Sequence, residues 1–438
     1  MRTKVRPEDF VVEEQLAWAP AERAGGPFTL YRVHKRATTT LAVQAEMAQR
    51  LGLRHADVVF PALKDKEAVA TQHATVRGSG PARVSGAGFS ALRLGSCPRP
   101  LTPEDIRANR FTLVLRDLCP GEEARLCARL EHIARHGLPN YFDQQRFGSL
   151  AGGAEHIAKT ILRRDVEGAL RAYLTQPLAG DPEPVRRFKR QAQAQWEDWA
   201  ALFEAAPRPS NYRSVLTYLR DHPTAGLDPA ARARHYRKAL NLISPRLLSL
   251  YLAAYQAWLW NRIAARYLVA LGLVPSPDAP PHVEVGGERL PLYRALPEGF
   301  ARDLAVPLPC HTARYEPPAL EAAVQDVLAQ EGLALADLKA RILRRAYLSR
   351  GERLLLLFPA DLGCGPPEPD ERFAGQHKMT VTFTLPRGSY ATLILRALDA
   401  LGANEEVYDA DQGQSHGPRA DRGGYHRTRY GRDRQRRQ

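Results

Sequence analysis

One carboxylate in this sequence has an unusual setting. Asp65 stands between Lys64 and Lys66 in FPALKDKEAVATQ (60–72), directly after the largely apolar run 57–60. Neighbouring ammonium groups favour an ionised carboxylate, and an ionised carboxylate can act as a nucleophile, for example at the anomeric carbon of a sugar. The alternative interpretation is a solvated surface turn, because exposed charges are routine in proteins.

The direction of the side chains around Asp65 depends on the local backbone. If residues 63–66 are extended, Lys64 and Lys66 point to the face opposite Asp65, since side chains alternate along an extended chain. Asp65 would then face a pocket while a lysine meets phosphate. A glycoside hydrolase using Asp65 and Glu67 is disfavoured, because its two carboxylates must flank a sugar about 5–9.5 Å apart. Residues two apart on one strand cannot do so.

Other patterns that could bind a metal or a cofactor are weak. His132 and His136 are spaced i, i+4 on a predicted helix and could face one metal ion, but no third ligand stands near them. Because zinc takes three or four protein ligands, a solvated helix face is favoured. The glycines within 77–88 do not form a phosphate-binding pattern and indicate a loop. These patterns therefore give no candidate for a metal or nucleotide site.

Composition favours an anionic partner. The chain has 438 residues, of which 44% are hydrophobic and 25% charged, with a net charge of +14. This balance suits a nucleic-acid partner, and no apolar run is long enough for a membrane span. Five cysteines without a C-x-x-C pair, together with a charged N-terminus, predict a cytoplasmic protein. The segment 411–438 should be a disordered basic tail, whose last 21 residues hold eight Arg and two Asp. It would contact RNA or only aid solubility.

The elements that must position Asp65 are visible as periodic patterns. Strand patterns alternate with helical ones near the N-terminus, the middle of the chain is largely helical, and strands return near the C-terminus. The predicted strands cover 10–16, 28–35, 110–118, 353–362 and 378–398, and the predicted helical segments cover 38–53, 122–137, 151–270 and 319–332. This order predicts one α+β domain interrupted by an inserted one.

Seven motifs in a fixed order resemble one enzyme family. ALKDKEAVATQ (62–72) resembles the signature of the TruD family of pseudouridine synthases, in which the Asp is the catalytic nucleophile. The remaining motifs that resemble the family are RPEDFVVEE (6–14), ANRF (108–111), LPNYFDQQRFG (138–148), AAYQAWLWN (253–261), PLP (307–309) and LPRGSYATLILR (385–396). The resemblance runs from residue 4 to about 398, which is nearly the whole chain apart from the tail.

The resemblance implies an activity and a site. The family isomerises a uridine in RNA to pseudouridine, and its bacterial members are associated with uridine 13 of tRNA. This reaction oxidises nothing and spends no phosphate, so the resemblance implies that no cofactor and no metal is required. Asp65 matches the nucleophile, and Phe10, Asn109, Phe111 and Tyr390 match positions that hold the target uridine. Whether the Asp attacks the sugar or promotes a glycal by deprotonation stays open. Without the family, Phe10 and Phe111 would be interpreted as core residues.

The resemblance also implies architecture and partners. The expected α+β fold has a catalytic pseudouridine-synthase domain with a mixed, mainly antiparallel sheet and flanking helices, built from 1–153 and 355–410. An α/β TRUD domain is inserted over 154–354, and RNA, most simply tRNA, should bind in the cleft between them. We expect no membrane and no obligate protein partner. A non-catalytic RNA-binding protein or RNA chaperone on the same fold is the alternative, although such a protein would not need Asp65 and Asn109.

Some matched positions depart from the family, and others suit supporting roles. Ala62 and Ala108 replace glycines, Asp143 and Cys310 replace loop glycines, and Ala397 replaces a Glu. The supporting residues are expected either to brace the site or to anchor packing between domains. The first group is Asn140, Tyr141 and Arg146, and the second is Tyr255, Gln256 and Asn261.

Overall fold

The secondary structure of the chain combines mostly short strands with helices of up to 26 residues. A computed structural model describes residues 1–20, 25–147, 156–178, 180–208 and 210–412, with side chains to residue 402. Its strands are β1 (Phe10–Leu16), β2 (Phe28–Arg36), β3 (Val58–Val59), β4 (Val69–Arg77), β5 (Arg83–Gly86), β6 (Phe89–Cys97), β7 (Ile106–Leu118), β8 (Leu138–Pro139), β9 (His282–Val285), β10 (Glu288–Pro291), β11 (Ala305–Pro307), β12 (Glu352–Leu354), β13 (Leu356–Leu357), β14 (Ala360–Cys364), β15 (Glu368–Pro369) and β16 (His377–Pro386). Its helices are α1 (Thr40–Arg50), α2 (Glu122–His136), α3 (Gln144–Phe147), α4 (Ile157–Leu162), α5 (Val166–Thr175), α6 (Glu183–Ala194), α7 (Trp199–Ala205), α8 (Arg213–Asp221), α9 (Pro229–Leu240), α10 (Pro245–Ala270), α11 (Pro318–Gln330) and α12 (Ala391–Gln412).

A ten-stranded sheet joins the two ends of the chain. Eight strands run in the order β14-β16-β7-β1-β4-β2-β6-β5, while β15 pairs with β16 and β3 with β4. The β1–β4 pair is parallel and the other pairs of this sheet are antiparallel. The fold is therefore α+β with a mixed, mainly antiparallel sheet, as predicted.

The long central strand β7 explains why both ends of the chain meet. Its residues Phe111, Leu113 and Leu115 alternate and are buried, so one face of the strand belongs to the core. On one side β7 pairs with β1, and on the other it pairs with β16, where Phe111 is opposite Phe383. N-terminal and C-terminal residues consequently share one core and can share one site.

The middle of the chain is mainly helical. Helices α4 to α11 lie between the strands from the two ends, together with the β9–β10 hairpin and the short strand β11. Asp165, Asp198 and Asp228 each accept hydrogen bonds from backbone N–H groups at the start of a helix, which satisfies donors that a helix leaves free. Over residues 254–265 helix α10 buries residues on nearly all sides, which indicates that other elements surround this part of the helix.

Two predicted strands near the C-terminus were wrong in extent. The segment 378–398 is a strand only to Pro386 and continues as α12 from Ala391, after a turn in which Gly388 has φ +84°. Proline lacks a backbone donor and glycine tolerates positive φ, so this pair ends a strand. The segment 353–362 forms three short strands, β12 to β14, which pair with β11, β8 and β16 respectively.

The basic tail predicted over 411–438 lies outside the described residues, except that residues 411 and 412 belong to the end of α12. Within the described part of the chain, no helix combines the length and the hydrophobicity that crossing a membrane requires.

Candidate active site

The five residues predicted for the site line one pocket. It has a volume of about 220 Å³ and lies between the loop that carries Asp65, the strands β1 and β7, and the turn before α12. Its lining includes Asp65, Phe10, Asn109, Phe111 and Tyr390. Residues from both ends of the sequence thus surround one small space that suits a single nucleotide better than an extended ligand. Their individual roles stay predictions.

The Asp65 carboxylate accepts a hydrogen bond on each oxygen. Lys4 Nζ lies 2.6 Å from Oδ2, and Gln145 Nε2 donates to Oδ1 at 2.7 Å. The side chain of Asp65 is 29% exposed, so it faces the pocket without being open to bulk water on all sides. Both partners leave further lone pairs on the two oxygens, and the carboxylate stays able to contact a ligand.

The cation beside Asp65 is not one of its neighbours in sequence. Lys4 Nζ is also 4.1 Å from the centre of the Phe10 ring, so one ammonium contacts both the carboxylate and an aromatic wall of the pocket. Sequence reasoning missed Lys4. A cation six residues before Phe10 was the one available signal, and nothing local to Asp65 pointed to it.

The two flanking lysines do not share a face, contrary to the expectation from an extended segment. Lys64 is 8% exposed and points inward, whereas Lys66 is 61% exposed and pairs with Glu67 at 3.3 Å. The strand before Asp65 is only two residues long, and residues 60–68 form a loop. The loop conformation, rather than strand alternation, sets these directions.

A buried lysine fixes the backbone of the loop. Lys35 on β2 donates from Nζ to the carbonyl oxygens of Asp65, at 2.5 Å, and Thr38, at 2.9 Å. Burial lowers the pKa of Lys35, and the nearby Asp65 carboxylate raises it in part. Thr40 Oγ1 accepts a hydrogen bond from the Lys64 N–H at 3.0 Å. The main chain on both sides of the Lys64–Asp65 peptide is therefore held by elements outside the loop.

Lys64 connects a buried carboxylate to Asn109. Glu14 has a fully buried side chain and accepts hydrogen bonds on Oε1 from the His73 N–H and from His73 Nδ1. Its Oε2 lies 2.9 Å from Lys64 Nζ. Burial alone would raise the pKa of Glu14, but His73 and Lys64 outweigh it and lower the pKa. Glu14 and Asn109 are opposite each other on β1 and β7, which places this chain of contacts across two central strands.

The contact with Lys64 orients the amide of Asn109. Lys64 Nζ donates to Asn109 Oδ1 at 2.6 Å. An ammonium only donates hydrogen bonds, so the oxygen of the amide must face the lysine. The Nδ2 group is left as the donor that Asn109 can present to the pocket.

The aromatic residues of the site belong partly to the core. Phe10 and Phe111 are 4% and 8% exposed and meet edge to face with ring centres 5.9 Å apart. Phe111 also lies 5.7 Å from Phe383. Phe10 and Phe111 therefore fit both interpretations of the sequence, as core residues and as pocket-lining residues, because each ring packs in the core and lines the pocket with its remaining surface.

A half-buried guanidinium that sequence reasoning missed, that of Arg353, supports the wall with Tyr390. Arg353 donates from Nε to the Asn140 carbonyl at 2.6 Å, from Nη2 to Asn140 Oδ1 at 2.7 Å and from Nη1 to the Gly388 carbonyl at 2.8 Å. It also lies 4.1 Å from the centre of the Phe142 ring. Burial lowers the pKa of Arg353 to about 10. Arg353 thus connects Asn140 to the turn before Tyr390, and the bracing role of Asn140 stays a prediction.

Asp143, which stands where the family has a glycine, has side-chain partners in the structure. Asp143 is buried and pairs with Arg396 at 3.0 Å, and it accepts a hydrogen bond from Thr392, so it ties the start of α3 to α12. Ala62 and Ala108 avoid positive φ, so neither position requires glycine. Ala397 is fully buried in the core.

Helix α10 joins the helical middle to the site region. Asn261 bonds both the N–H and the carbonyl of Phe142 at 2.8 Å, next to α3 and its residue Gln145. Gln256 donates to the carbonyls of Pro309 and Ser349, and Tyr255 donates to Glu331. These contacts agree with the packing roles predicted for the three residues.

The pair of histidines on α2 contacts backbone atoms. His132 Nε2 donates to the Arg294 carbonyl at 2.5 Å, and His136 Nδ1 accepts from the Leu296 N–H at 3.3 Å. Among the described residues, no group of three or more His, Cys, Asp or Glu side chains is arranged to hold a metal ion.

Comparison with known proteins gives one consistent family. The family model for tRNA pseudouridine synthase D (TruD) matches residues 1–398. "Probable tRNA pseudouridine synthase D" of Pyrobaculum aerophilum is 30% identical over 404 residues, covering 90% of each chain. "Probable tRNA pseudouridine synthase D 2" of Methanocaldococcus jannaschii is 28% identical over 400 residues, and covers 90% of this chain and 91% of its own. "tRNA pseudouridine synthase D" of Aquifex aeolicus is 27% identical over 409 residues, covering 91% of this chain and 98% of its own.

A solved structure has the same fold. A crystal structure of a TruD protein from Methanosarcina mazei superposes with a TM-score of 0.66 at 20% sequence identity. The match covers 91% of this chain and 93% of the other. At this identity the likeness concerns the fold.

Proposed function

This chain belongs to the TruD family of tRNA pseudouridine synthases, and we propose that Asp65 is the nucleophile with which it isomerises one uridine of tRNA to pseudouridine. The observation that carries this proposal is the convergence of Asp65, Asn109 and three aromatic rings on one pocket. Uridine 13 is the target that the resemblance to the bacterial family favours. We further propose that residues 1–153 and 355–410 form the catalytic domain and 154–354 the inserted one.

The pocket suits a uridine turned out of its RNA. A uridine inside a folded RNA must be flipped before its sugar can be reached. Phe10, Phe111 and Tyr390 offer aromatic surface to the freed base, and such stacking is worth about 1–3 kcal/mol for each base. Asn109 would donate from Nδ2 to a carbonyl oxygen of uracil, since Lys64 holds its Oδ1. Cytosine carries an amino group at position 4 and would offer a donor there instead.

The carboxylate of Asp65 would act on the sugar. In the direct route, an oxygen of Asp65 bonds to C1′ as the C1′–N1 bond breaks and its electron pair goes to uracil. Uracil then turns within the aromatic walls, its C5 bonds to C1′, and the Asp65–C1′ bond breaks. The proton on C5 leaves last and N1 takes up a proton, so that the product is an isomer of the substrate. In the glycal route Asp65 instead removes a proton from C2′ as the C1′–N1 bond breaks, and it returns that proton to C2′ when C5 bonds to C1′. The same contacts would serve both routes.

Lys4 and Gln145 keep Asp65 ready for this role. The ammonium of Lys4 contacts one oxygen of the carboxylate, and the amide of Gln145 on the other oxygen fixes its rotation. Lys35 holds the backbone of Asp65, so the carboxylate is aimed by contacts on both its side chain and its main chain. Preorganisation of this kind lowers the cost of reaching the reactive geometry.

The test compares two carboxylates of the same loop. Asp65→Asn keeps the size of the side chain and removes its charge, while Glu67→Gln does the same two residues away, where the side chain is 63% exposed. Single-turnover release of tritium from C5 of uracil in a labelled tRNA transcript measures isomerisation. We expect Asp65→Asn to lose several orders of magnitude in rate, as for loss of a covalent nucleophile, and Glu67→Gln to keep the rate.

Three results would contradict the proposal in different ways. Release at close to the wild-type rate by folded Asp65→Asn protein would assign the chemistry to another residue. A loss of rate in Glu67→Gln as large as in Asp65→Asn would point to a two-carboxylate mechanism, as in a glycoside hydrolase. No release by the wild-type protein from any tRNA would favour the non-catalytic RNA-binding protein.

A further inference from the structure

A groove far along the chain from Asp65 has a strongly one-sided charge. Its volume is about 730 Å³, and none of the ten residues that line it is acidic. Half of the lining residues carry a positive charge, namely Arg234, Arg237, Lys238, Arg344 and Arg345. We call this surface the basic groove.

Two separate segments build the basic groove and are held together by hydrogen bonds that involve no carboxylate. Helix α9 and the turn into α10 form one side, and residues 344 and 345 form the other. Asn241 donates to the Arg237 and Ile342 carbonyls at 2.8 and 2.9 Å and accepts from the Arg344 N–H at 2.8 Å. Arg237 Nη2 also donates to the Arg341 carbonyl at 2.9 Å. The groove is therefore a built surface with fixed walls.

The cations of the basic groove are not neutralised by ion pairs. All five are exposed, and none of the ion pairs between described residues includes them. Nearby Arg232, by contrast, lies 3.7 Å from Glu197. Gathering unpaired like charges destabilises a fold through repulsion, so their collection on one surface indicates an anionic partner.

Exposed apolar side chains accompany these charges. Leu242, which lines the groove, is 44% exposed, and Tyr347, two residues after Arg345, is 74% exposed. A tyrosine ring beside arginines suits a base or ribose next to a phosphate. Cations with an exposed aromatic ring match RNA better than they match a small inorganic anion.

The basic groove is well separated from the pocket along α10. The N-terminal end of α10, at Pro245, lines the groove, whereas Asn261 contacts Phe142 near the pocket. Sixteen residues of α-helix rise about 24 Å. A ligand in the groove would therefore contact RNA away from the target uridine.

We propose that the basic groove binds the phosphate backbone of the substrate RNA at a position remote from the uridine being modified. This rests on the proposed function for the identity of the substrate. Phosphate contacts supply affinity that depends on salt and carry little sequence information. The groove would thus hold the tRNA body while the pocket recognises one nucleotide.

The experiment compares two sets of three charge removals in the full chain. The groove variant carries Arg234→Gln, Lys238→Gln and Arg345→Gln. The control carries Arg125→Gln, Arg186→Gln and Arg187→Gln, which are exposed, form no ion pair in the described structure and lie on α2 and α6. Both variants lose the same net charge, so a difference between them reports position and not total charge.

Binding of a fluorescent unmodified tRNA transcript is measured over a series of salt concentrations. For the groove variant we expect the slope of log affinity against log salt to become shallower by about 2, the value for three phosphate contacts. This corresponds to about 50-fold weaker binding at 0.15 M salt if affinities converge near 1 M. The control should keep the wild-type slope. A charge-preserving variant, Arg234→Lys with Arg345→Lys, should also keep it.

Equal slopes for the groove variant and the control would overturn the proposal. A groove variant with the wild-type slope would do the same, because all three substituted side chains are exposed and their loss should leave the fold intact. At saturating tRNA, the single-turnover rate of the groove variant should equal that of the wild type. The binding measurement needs no turnover, so its result does not depend on whether Asp65 is the nucleophile. A failure of the groove proposal can therefore be distinguished from a failure of the proposed function.

Discussion

Replacement of Lys64 by methionine tests the contact chain behind the pocket. Lys64→Met keeps the length and the apolar stem of the side chain and removes the ammonium. Glu14 then keeps its contact with His73 but loses the cation 2.9 Å from its Oε2. Asn109 loses the donor that holds its Oδ1. The matched control is Lys66→Met in the same motif, since Lys66 is 61% exposed.

The size of the stability loss expected for Lys64→Met follows from the burial of the Glu14–Lys64 ion pair. At 2.9 Å the attraction between Glu14 and Lys64 is about 6 kcal/mol for an effective dielectric constant of 20. Methionine avoids the cost of burying an ammonium, which offsets part of this loss. The expected decrease in the free energy of unfolding is about 3 kcal/mol, the lower end of the range for a buried pair broken on one side. The exposed Lys66 should change it by less than about 0.5 kcal/mol.

The dependence on pH identifies the carboxylate. The pKa of Glu14 is lowered from its usual 4.5 in the folded wild type, so its contribution to stability is present above pH 4.5 and is lost as the pH falls through the folded pKa. In Lys64→Met, burial raises this pKa, and Glu14 takes up its proton at a higher pH. The stability difference between the two proteins should be largest at pH 7 and should narrow as the pH falls toward and below 4.5.

Urea unfolding followed by fluorescence at several pH values measures these differences. Combining Glu14→Gln with Lys64→Met should recover much of the loss, because the neutral amide does not need a cation. Single-turnover isomerisation should fall in Lys64→Met, since Asn109 is no longer fixed, and should persist in Lys66→Met. Equal unfolding midpoints for Lys64→Met and Lys66→Met at pH 7 would refute the reasoning. A difference that stays constant down to pH 4 would exclude Glu14 as its source.

Two further substitutions probe the pocket itself. Lys4→Met should slow isomerisation at saturating tRNA by about 10- to 100-fold, because Asp65 loses its cation, and a wild-type single-turnover rate would show that the ion pair is dispensable. Phe111→Ala should reduce the single-turnover rate more than tRNA affinity, because phosphate contacts supply most of the affinity. Since the ring is 8% exposed, Phe111→Ala should also cost about 3 kcal/mol of stability, and Phe111→Leu separates the two effects by retaining most of the core volume. An unchanged rate in folded Phe111→Ala would remove Phe111 from the site.

Local patterns predicted what depends on local structure. The alternation of Phe111, Leu113 and Leu115 predicted a strand, and Gly137 marked the end of α2. The same patterns wrongly predicted that the strand at 378–386 continues through the start of α12. The β-branched and aliphatic side chains that begin this helix fit a strand as well as a helix. The turn around Gly388 decides between them.

Contacts between distant segments could not be predicted in this way. Lys4 reaches Asp65 across 61 positions, and Arg353 reaches Asn140 across 213. Lys64 was noticed only as a neighbour of Asp65, yet its ammonium acts on Asn109, 45 positions away. The motifs supplied the residues that line the pocket, whereas the residues that hold them in place depend on how β1, β4 and β7 are arranged in the sheet.

The cations around the pocket have protein partners, which bears on where RNA affinity arises. Lys4 pairs with Asp65, Lys64 with Glu14 and Asn109, Lys35 with two carbonyls, and Arg353 with carbonyls and Asn140. Each cation would have to give up these contacts to bind phosphate strongly. Where the cation is buried, its former protein partners would be left without a hydrogen bond.

The basic groove presents the opposite situation. None of its five cations forms an ion pair in the described structure, although Arg234 is close enough to Asp228 to lower the pKa of that carboxyl. They can therefore neutralise phosphate without breaking an ion pair. Affinity for tRNA and chemistry at one uridine should therefore respond to different substitutions. Changes in the groove should alter the salt dependence of binding at a constant single-turnover rate, whereas changes at Lys64 or Lys4 should alter the rate at a nearly constant salt slope. A groove variant that lost rate at saturating tRNA would mean that the two functions are coupled through α10.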